Sequence, residues 1–420
     1  MKTIALRLYG KSDLRLEAFD LPAIGDGELL VKIVSDSICM SSYKAAMQGN
    51  EHKRVPNNVY NNPIIIGHEF CGEIMEVGSK YKSRYAVGQK FTVQPAMKGT
   101  YSAAGYSFPY IGGDCQYAVI PECYIEQDCV LHYRGESFYY GSLAEPVSCV
   151  IGAAHASYHT RQGEYEHIMG IREGGKMAAL AACGPMGLAF IDYILHCERR
   201  PSLLVVTDID DARLNRAAEL LSPEKAAEQG VKLIYQNTAK TNDPVSLLRS
   251  IGDKDGFDDI FVFAPVDAVV EQADAILGYD GCLNFFAGPS DTAFSAKLNF
   301  YNVHYNATHL AGTSGGNTND MKEALTFAAE GKINPSILVT HIGGLDAAAE
   351  ATLNLPHIPG FKKLIYTDIS MPLTSISDFE EKGRTYPLFK ELAQICNKYN
   401  GLWNLEAEMY LLKNAVKLEL

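Results

Sequence analysis

The stretch Lys176-Met-Ala-Ala-Leu-Ala-Ala-Cys-Gly-Pro-Met-Gly-Leu188 joins an apolar run, typical of a buried strand, to a helical pattern through a glycine-containing turn. Glycines at such a turn let the backbone approach a pyrophosphate, which then lies at the positive end of the helix. The usual Gly-x-Gly-x-x-Gly pattern is only partly met, because Ala182 stands in the first position, before Gly184 and Gly187. Together with Met186 in the same turn, these residues form a candidate dinucleotide site.

The segments around this turn alternate between strands and helices, which predicts a doubly wound parallel sheet. The strands are predicted over residues 176–182, 203–208, 232–235, 259–263 and 282–286, and helices over 186–197 and 212–221. Asp208 ends the second of these strands, at the distance where an acid binds a ribose 2′-hydroxyl, and Arg213 is placed to contact the adenine or its ribose. A carboxylate repels a 2′-phosphate, so Asp208 favours NAD over NADP. The plainer interpretation is an ordinary strand–helix turn in which Asp208 caps the next helix.

The sequence changes in character twice along its length. Residues 1–150 read as short strands punctuated by turns, with clear strand patterns over 28–34, 72–77 and 116–120. The alternating pattern occupies residues 151–305. A helix near 320–330 and more short strands follow, and the end of the chain is predicted to be helical over 387–399 and 405–418.

Composition excludes several classes of function. The chain has 420 residues, of which 47% are hydrophobic and 21% charged, and its formal charge is −13, which disfavours nucleic acid and anionic membrane surfaces. Arg7 interrupts the first apolar run too early for a signal peptide. The longest uncharged apolar run, residues 177–191, is shorter than the roughly 20 residues of a membrane span. The ten cysteines form no Cys-x-x-Cys pair, so we expect reduced thiols in a cytoplasmic protein.

A second group of candidate residues lies in the β-rich part. Cys39 occurs in Cys-Met-Ser-Ser, His68 and Glu69 in Gly-His-Glu, and Glu145 in Ala-Glu-Pro. A thiolate, an imidazole and a carboxylate are the ligands of a catalytic zinc, which keeps a fourth position for water or substrate. Each residue alone also has a structural interpretation, as a buried thiol, a hydrogen-bonded core histidine or a helix start.

Taken together, these motifs resemble those of the zinc-dependent medium-chain dehydrogenase/reductases. The resemblance covers residues 1–369 and rests on Cys39-x-Ser41, Gly67-His68-Glu69, Gly112-Gly113 before a strand, Glu145-Pro146 and the strand–glycine–helix turn. Glu145 in place of a second cysteine is similar to the polyol dehydrogenase branch. The resemblance implies an α/β protein: a GroES-like β-rich catalytic domain over 1–150, completed by 306–369, a Rossmann domain over 151–305, and a helical extension over 370–420.

The resemblance also implies roles for the candidate residues. Cys39, His68 and either Glu69 or Glu145 would hold one zinc ion, and the remaining glutamate would contact the metal-bound water. Ser41 would pass a proton between the substrate hydroxyl and solvent, while NAD(H) or NADP(H) exchanges hydride with the substrate carbon.

Three departures from the family pattern affect these expectations. Ser42 replaces the aspartate that orients the ligand histidine in many members, so the zinc is expected to be held more weakly or oriented by another group. Lys44 replaces the histidine that ends the proton relay. The four-cysteine lobe of a structural zinc is missing, because residues 94–113 contain no cysteine. We therefore expect one zinc ion per chain.

The tyrosine-rich stretch in place of that lobe, the segment 302–309 and the extension beyond 370 are similar to a branch that reduces phosphorylated ketoses. The expected reaction converts L-sorbose 1-phosphate to D-glucitol 6-phosphate. That branch is NADPH-linked, which conflicts with the acid at the end of the second strand, so the coenzyme stays NAD or NADP. A sugar phosphate requires cations, and His52, Lys53, Arg54 and Lys44 are candidates, although Lys53 or Arg54 singly is also explained as a solvated loop residue. Asn306 is a candidate partner for a substrate hydroxyl.

Two alternatives stay open on the sequence. One is the same chemistry on a free polyol such as sorbitol, xylitol or galactitol. The other is a zinc-free, non-catalytic nucleotide-binding protein that retains the fold. Family members associate through the edge of the Rossmann sheet, so a homodimer or homotetramer is expected, with residues 282–286 as its interface strand.

Overall fold

A computed structural model describes residues 1–253 and 255–419. Lys254 and Leu420, which belong to the predicted Rossmann domain and to the predicted extension, lie outside the described residues. The chain divides into two compact units. Unit 1 comprises Met1–Glu145, Met321–Gly331 and Leu338–Leu420, and unit 2 comprises Pro146–Asp320 and Lys332–Ile337.

The strands and helices are numbered in chain order. The strands are β1 (Lys2–Gly10), β2 (Asp13–Asp20), β3 (Leu29–Ile38), β4 (Ile64–Ile65), β5 (Phe70–Val77), β6 (Lys90–Val93), β7 (Tyr117–Ile120), β8 (Val130–His132), β9 (Tyr158–His159), β10 (Ile168–Met169), β11 (Lys176–Leu180), β12 (Leu203–Asp208), β13 (Lys232–Asn237), β14 (Phe257–Val262), β15 (Leu277–Phe285), β16 (His309–Ala311), β17 (Val339–Gly344), β18 (Lys362–Tyr366) and β19 (Thr374–Ser375). The α-helices are α1 (Met40–Gln48), α2 (Glu122–Glu126), α3 (Phe138–Ser142), α4 (Ala144–Ala156), α5 (Pro185–His196), α6 (Asp211–Leu220), α7 (Pro223–Glu228), α8 (Pro244–Gly252), α9 (Asp267–Ile276), α10 (Phe300–Tyr305), α11 (Thr318–Ala329), α12 (Ala348–Leu353), α13 (Phe379–Lys382), α14 (Pro387–Lys398) and α15 (Leu405–Asn414).

Unit 1 is built on a largely antiparallel sheet in the order β19-β17-β18-β3-β5-β6-β8, with β7 also paired to β3. The strand patterns predicted from the sequence are confirmed as β3, β5 and β7. Apolar residues of these strands, such as Val31, Ile33 and Phe70, form one buried cluster. The pairing of β18 with β3 joins the two ends of the chain, with Lys363 opposite Ile38. This pairing places the beginning of β18 beside the loop that follows β3.

Unit 2 contains a six-stranded parallel sheet in the order β13-β12-β11-β14-β15-β16. This is the strand order of a doubly wound dinucleotide-binding fold, and it confirms the predicted fold class. Predicted strands and helices agree with the observed ones to within about five residues. The expectation that residues 282–286 form the edge strand of the sheet is wrong, because residues 282–285 lie in β15, where Cys282 pairs with Asp259 of β14 and with His309 of β16. A strand bonded on both sides has no edge to offer, and the free edge belongs to β16.

The residues beyond 370 pack within unit 1. Helix α14 buries one face, which includes Phe389 and Leu392, and Trp403 is fully buried between α14 and α15. The chain end returns to the sheet, where the backbone N–H of Leu418 donates to the carbonyl of Asp368 at 3.0 Å. Within the described part of the chain, no helix has both the length and the apolar character to cross a membrane.

Candidate metal centre and coenzyme turn

Three candidate ligands meet at one point of unit 1. Cys39 is the residue before α1 and has extended backbone angles, while His68 and Glu69 immediately precede β5. The thiol sulfur, a ring nitrogen and a carboxylate oxygen of these residues all lie within 4.8 Å of one another. All three belong to loops that leave or enter neighbouring strands, which is why residues about 30 positions apart converge.

The turn before the histidine requires glycine. Gly67 has φ +91°, and a Cβ atom there would lie 2.7 Å from the backbone nitrogen of Asp114 and 2.8 Å from a carboxylate oxygen of Asp36. The same Asp36 accepts a hydrogen bond from the backbone N–H of Glu69 at 3.1 Å. Burial, and then the charges of Asp114 and Glu69, raise the pKa of Asp36 well above its ordinary value. This packing fixes the backbone that presents the two ligands.

Hydroxyl groups surround the imidazole of His68. Nδ1 lies 3.1 Å from the Ser42 hydroxyl and 3.1 Å from the Tyr106 hydroxyl. On the other side, Ser41 Oγ lies 3.2 Å from Nε2 and donates to the Cys39 sulfur at 3.1 Å. The Tyr106 hydroxyl also lies 3.3 Å from Nε2, so both ring nitrogens have hydroxyl neighbours. An Nδ1–H that donates to Ser42 would leave the Nε2 lone pair free to bind a metal ion. Burial lowers the pKa of His68, which favours the neutral imidazole that binds metals.

A lysine from the distant end of the sheet completes the group. Lys362, the first residue of β18, places Nζ 2.6 Å from both carboxylate oxygens of Glu69, and the side chains are 9% and 1% exposed. Burial alone would lower the pKa of Lys362, but the negative charges of Glu69 and Cys39 outweigh it and hold the pKa above its ordinary value. The ammonium therefore stays charged and holds the carboxylate in place.

Glu145, the second residue of α4, faces the same group. Burial raises the pKa of its carboxyl to about 7, and the charges of Glu69 and Cys39 contribute to the increase, while His68 opposes it. Burial likewise raises the pKa of the Cys39 thiol. Glu145 is thus close enough to the other acidic groups to repel them. The sequence analysis assigns either Glu69 or Glu145 as the zinc ligand and the other as the contact of the metal-bound water, and both assignments require this proximity.

The residues fit a zinc ion. Thiolate, imidazole and carboxylate are its usual donors. When ionised, Cys39, Glu69 and Glu145 carry three negative charges against the single ammonium of Lys362, and a divalent cation offsets the difference. Buried charge without such compensation is strongly unfavourable.

Tyr106 links this centre to the predicted cations. Its ring lies 4.9 Å from the ring of the ligand histidine, the His52 ring stacks on it at 5.8 Å, and the Arg54 guanidinium lies 5.3 Å from its centroid. Arg54 is half-buried, and its carbonyl accepts a hydrogen bond of 2.6 Å from the Ser107 hydroxyl. Burial lowers the pKa of His52, and nearby Arg54, Lys53 and Lys44 lower it further, so three cations lie close to a neutral imidazole.

The neighbouring cations differ in their surroundings. Lys53 is exposed, 6.0 Å from the ring of the exposed Tyr101, as expected of a solvated loop residue. Lys44 is half-buried on α1, three residues after Ser41, so the two side chains share a face of the helix. Arg54 and Lys53 therefore differ in environment: Arg54 packs beside the metal centre, whereas Lys53 does not.

In unit 2 the glycine turn has the features of a dinucleotide site. A Cβ at Gly187 would lie 2.0 Å from the carbonyl oxygen of Ala182, so only glycine allows α5 to pack this closely on β11. A Cβ at Gly184 would meet nothing within 4 Å, which leaves open space over the helix N-terminus. Met186 is the second residue of α5, next to Pro185 at its start.

Asp208 closes β12 beside this turn. Its carboxylate accepts hydrogen bonds from the backbone N–H groups of Cys183 at 3.3 Å and Ile209 at 2.8 Å. The residue that caps α6 is Asp210, which accepts from the N–H of Arg213, so the interpretation of Asp208 as a helix cap is wrong. Arg213 itself is exposed, and its positive charge lowers the pKa of the Cys183 thiol, against the larger effect of burial.

Asn306 has a local role in unit 2. It follows α10, its side-chain amide donates to Asn302 at 3.1 Å, and its carbonyl accepts from the N–H of Asp280 at 2.7 Å. A contact with a substrate hydroxyl stays a prediction.

Sequence reasoning missed two residues of the metal centre. Lys362 is 293 residues away from its partner Glu69, and its one signal is a pair of lysines, Lys362-Lys363, at the start of an apolar strand. Tyr106 lies in the tyrosine-rich stretch that replaces the structural-zinc lobe, but nothing in the spacing indicates which tyrosine faces inward.

Comparisons with known proteins point in one direction. Residues 25–127 match the model of the alcohol dehydrogenase GroES-like domain, and residues 185–330 match the zinc-binding dehydrogenase model. A mannitol-1-phosphate 5-dehydrogenase of Aliivibrio fischeri is 51% identical over 98% of both chains. An L-sorbose 1-phosphate reductase of Klebsiella pneumoniae is 47% identical, also over 98% of both. The solved 2R,3R-butanediol dehydrogenase of Bacillus subtilis has a TM-score of 0.69 and 22% identity, and the match covers 87% of this chain and 100% of that one.

Proposed function

Because this chain belongs to the zinc-dependent medium-chain dehydrogenase/reductase family, as an alcohol or polyol dehydrogenase that uses zinc and a nicotinamide coenzyme, we propose that it reduces the ketone of a phosphorylated ketose. L-Sorbose 1-phosphate is the proposed substrate and D-glucitol 6-phosphate the product. The observation that carries this proposal is Arg54, half-buried against Tyr106, whose hydroxyl contacts the ligand histidine. The position of this cation next to the metal centre suits a substrate whose phosphate lies on the carbon beside the ketone.

The proposed zinc ligands are Cys39, His68 and Glu69, and Glu145 would contact the metal-bound water. One zinc ion per chain is proposed, since the lobe of a structural zinc lacks cysteines. When bound, zinc supplies a Lewis acid for the substrate oxygen and the nicotinamide supplies hydride. Lys362 holds the Glu69 carboxylate through two hydrogen bonds of 2.6 Å. The proposed domains are a GroES-like domain and a Rossmann domain, expected at 1–150 with 306–369 and at 151–305, respectively. Because β16 pairs within the Rossmann sheet, we propose that this domain extends beyond residue 305.

Protons are moved by side chains of α1. The Ser41 hydroxyl already contacts both Cys39 and His68, so it is placed to give a proton to the oxygen that a ketone becomes on reduction. Lys44 lies one helical turn further along, next to His52, and is the proposed exit toward solvent. Ser42 and Tyr106 keep the imidazole oriented and take no part in the transfer.

The phosphate is proposed to bind between Arg54, Lys44 and His52. Guanidinium groups bind phosphate through paired, charge-assisted hydrogen bonds, and stacking on a tyrosine ring restrains Arg54 before the substrate arrives. A restrained cation loses less entropy on binding than a solvated one such as Lys53. Asn306 stays a secondary candidate for a sugar hydroxyl.

Two further parts of the proposal concern the coenzyme and the assembly. The carboxylate of Asp208 at the end of β12 supports a preference for NAD over NADP, with Arg213 nearby. A homodimer or homotetramer is proposed to form through the free edge of β16; the helix that precedes this strand, α10, carries the exposed side chains of Phe300 and Tyr301. The ten free cysteines suit a cytoplasmic location.

One assay tests the substrate. Initial rates of NADH and NADPH oxidation are measured with L-sorbose 1-phosphate and with L-sorbose. NAD reduction is measured with mannitol 1-phosphate, the compound in the name of the Aliivibrio fischeri relative. A preference for L-sorbose 1-phosphate supports the proposal. Equal or better rates with free L-sorbose would overturn it in favour of a plain polyol dehydrogenase. A clear preference for mannitol 1-phosphate would indicate a substrate whose ketone is not on the carbon beside the phosphate.

A pair of neighbouring variants tests the phosphate site. Arg54→Ala should remove about 1.5–3 kcal/mol of binding, which raises KM for the phosphorylated substrate about 10- to 150-fold. Lys53→Ala is the matched control and should change KM less than about threefold. Neither variant should affect the KM for the free sugar. Equal effects of the two substitutions would exclude Arg54 as the phosphate ligand.

A further inference from the structure

A buried carboxylate in the C-terminal extension contacts the segment that leads to the metal centre. Glu408, on α15, is fully buried. Its oxygens accept hydrogen bonds from the backbone N–H groups of Phe138 at 2.8 Å and Tyr139 at 2.9 Å. These are the first two N–H groups of α3, which have no partner within the helix itself. Ser137, which precedes them, makes no side-chain cap, so Glu408 caps α3 from 270 residues away.

The helix that Glu408 caps ends next to a zinc-site residue. Helix α3 spans five residues, and after Leu143 the chain enters α4, where Glu145 is the second residue. Ser142, the last residue of α3, donates to the carbonyl of Ser35 on β3 at 2.9 Å. The segment from α3 to Glu145 is therefore held at its start by Glu408 and near its end by β3, and β3 continues directly to the ligand cysteine.

The same carboxylate is bonded to the strand that carries the buried lysine. The Tyr366 hydroxyl donates to Glu408 at 2.8 Å and accepts from the indole N–H of Trp403 at 2.8 Å. Tyr366 ends β18, whose first residue is Lys362, the partner of Glu69. Thus one side chain of the extension contacts both segments that bring charge to the metal donors, and all of these groups are buried.

We propose that Glu408 is a positioning residue for the zinc site, and that the C-terminal extension serves to fix the placement of Glu145 and of β18, which pairs with the strand that leads to the ligand cysteine. The inference rests on the proposed metal centre of Cys39, His68 and Glu69. Loss of a direct hydrogen-bond partner of a metal ligand typically weakens metal binding about 10- to 100-fold, and because Glu408 acts through intervening residues, its loss should fall at the lower end of that range. A residue that merely fills the core would lower the stability of unit 1 without a selective effect on zinc.

Glu408→Gln tests the inference, because glutamine keeps the shape but turns one acceptor oxygen into a donor that faces backbone N–H groups. Zinc affinity is measured on the full-length protein by competition with a chromophoric chelator, and NADH affinity by fluorescence titration. Zinc affinity should fall at least about tenfold, while NADH affinity stays within about twofold. Glu406→Gln, which removes an exposed carboxylate of the same helix that pairs with Lys398, is the matched control and should change neither.

Two additional variants keep the outcomes distinct. If Glu408→Gln does not fold, Tyr366→Phe removes one of the three hydrogen bonds while keeping the ring, and should still weaken zinc binding measurably. Zinc affinity within about twofold of wild type in a folded Glu408→Gln protein would refute the positioning role. Cys39→Ala checks the underlying site: if it binds zinc as tightly as wild type, the proposed metal centre is wrong, whatever Glu408 does.

Discussion

Replacing Lys362 by methionine removes the positive partner of Glu69 where water cannot take its place. Both carboxylate oxygens lie 2.6 Å from Nζ, and the two side chains are 9% and 1% exposed. Removing one partner of a buried, hydrogen-bonded ion pair costs about 3–5 kcal/mol, because the remaining charge is left without compensation. We expect the free energy of unfolding of metal-free unit 1 to fall by that amount in Lys362→Met.

Zinc should reduce this loss. A divalent cation bound by Cys39, His68 and Glu69 places positive charge against the same carboxylate and replaces part of what the lysine supplied. We expect Lys362→Met to lose less stability at saturating zinc than without metal, by more than about 1.4 kcal/mol. By linkage, this difference means that the variant binds zinc about tenfold more tightly than the wild type. The sign of this difference distinguishes an electrostatic role of Lys362 from simple packing.

The single tryptophan makes the measurement specific to unit 1, because Trp403 is fully buried there. Its fluorescence is followed through urea unfolding, with a chelator or with excess zinc. Lys363→Met is the control, because this buried lysine donates to backbone carbonyls, including that of Phe361 at 2.6 Å. The decrease in the free energy of unfolding caused by Lys363→Met should be the same with and without zinc. A metal-free loss below about 1 kcal/mol for Lys362→Met, or a loss that zinc does not change, would refute the reasoning.

Three other outcomes are expected. Cys39→Ala should reduce turnover to background while the NADH dissociation constant stays within about twofold, since the thiol lies in unit 1 and the coenzyme turn in unit 2; retained turnover would remove Cys39 from the site. Asp208→Ala should weaken NADH binding and improve NADPH relative to it, as measured by the ratio of kcat/KM values, and an unchanged ratio would show that the acid does not contact the ribose. Burial lowers the pKa of His341 to about 4, so the folded protein stays neutral there while the unfolded chain binds a proton below about pH 6.5. Stability therefore falls as pH drops from about 6.5 to 4, and His341→Gln should remove up to about 1.4 kcal/mol per pH unit of that slope in urea unfolding.

Local patterns predicted unit 2 well because its signals are contiguous. Apolar strands, a glycine turn and amphipathic helices follow one another, and each strand of a parallel sheet is bounded by its own turns. The edge of the sheet was the exception. The strand predicted to be the interface pairs with β16, which is therefore the edge strand. β16 has only three residues, and its apolar Leu310 is exposed, so the sequence shows no alternation of buried apolar and exposed polar residues there.

The metal donors were predictable because Cys39, His68 and Glu69 belong to short motifs, whereas their supporting residues were not. Lys362 and Tyr106 reach the donors through sheet pairing and loop packing, and neither leaves a motif at a fixed spacing. The role of Ser42 shows the same limit. The sequence indicates that an orienting aspartate is absent, but only the fold shows that two hydroxyl groups take its place at Nδ1 of His68.

A buried lysine beside a metal ligand is unfavourable by itself, because its charge repels the cation. The acidic groups at this centre explain it. Cys39, Glu69 and Glu145 bring three negative charges when ionised, so a dication alone would leave the buried site negative, at a cost that low-dielectric surroundings make large. With Lys362 the site becomes neutral when zinc is bound. The lysine is therefore the counterpart of the second glutamate: a chain that keeps Glu145 at this position needs a buried cation within reach, and β18 provides it.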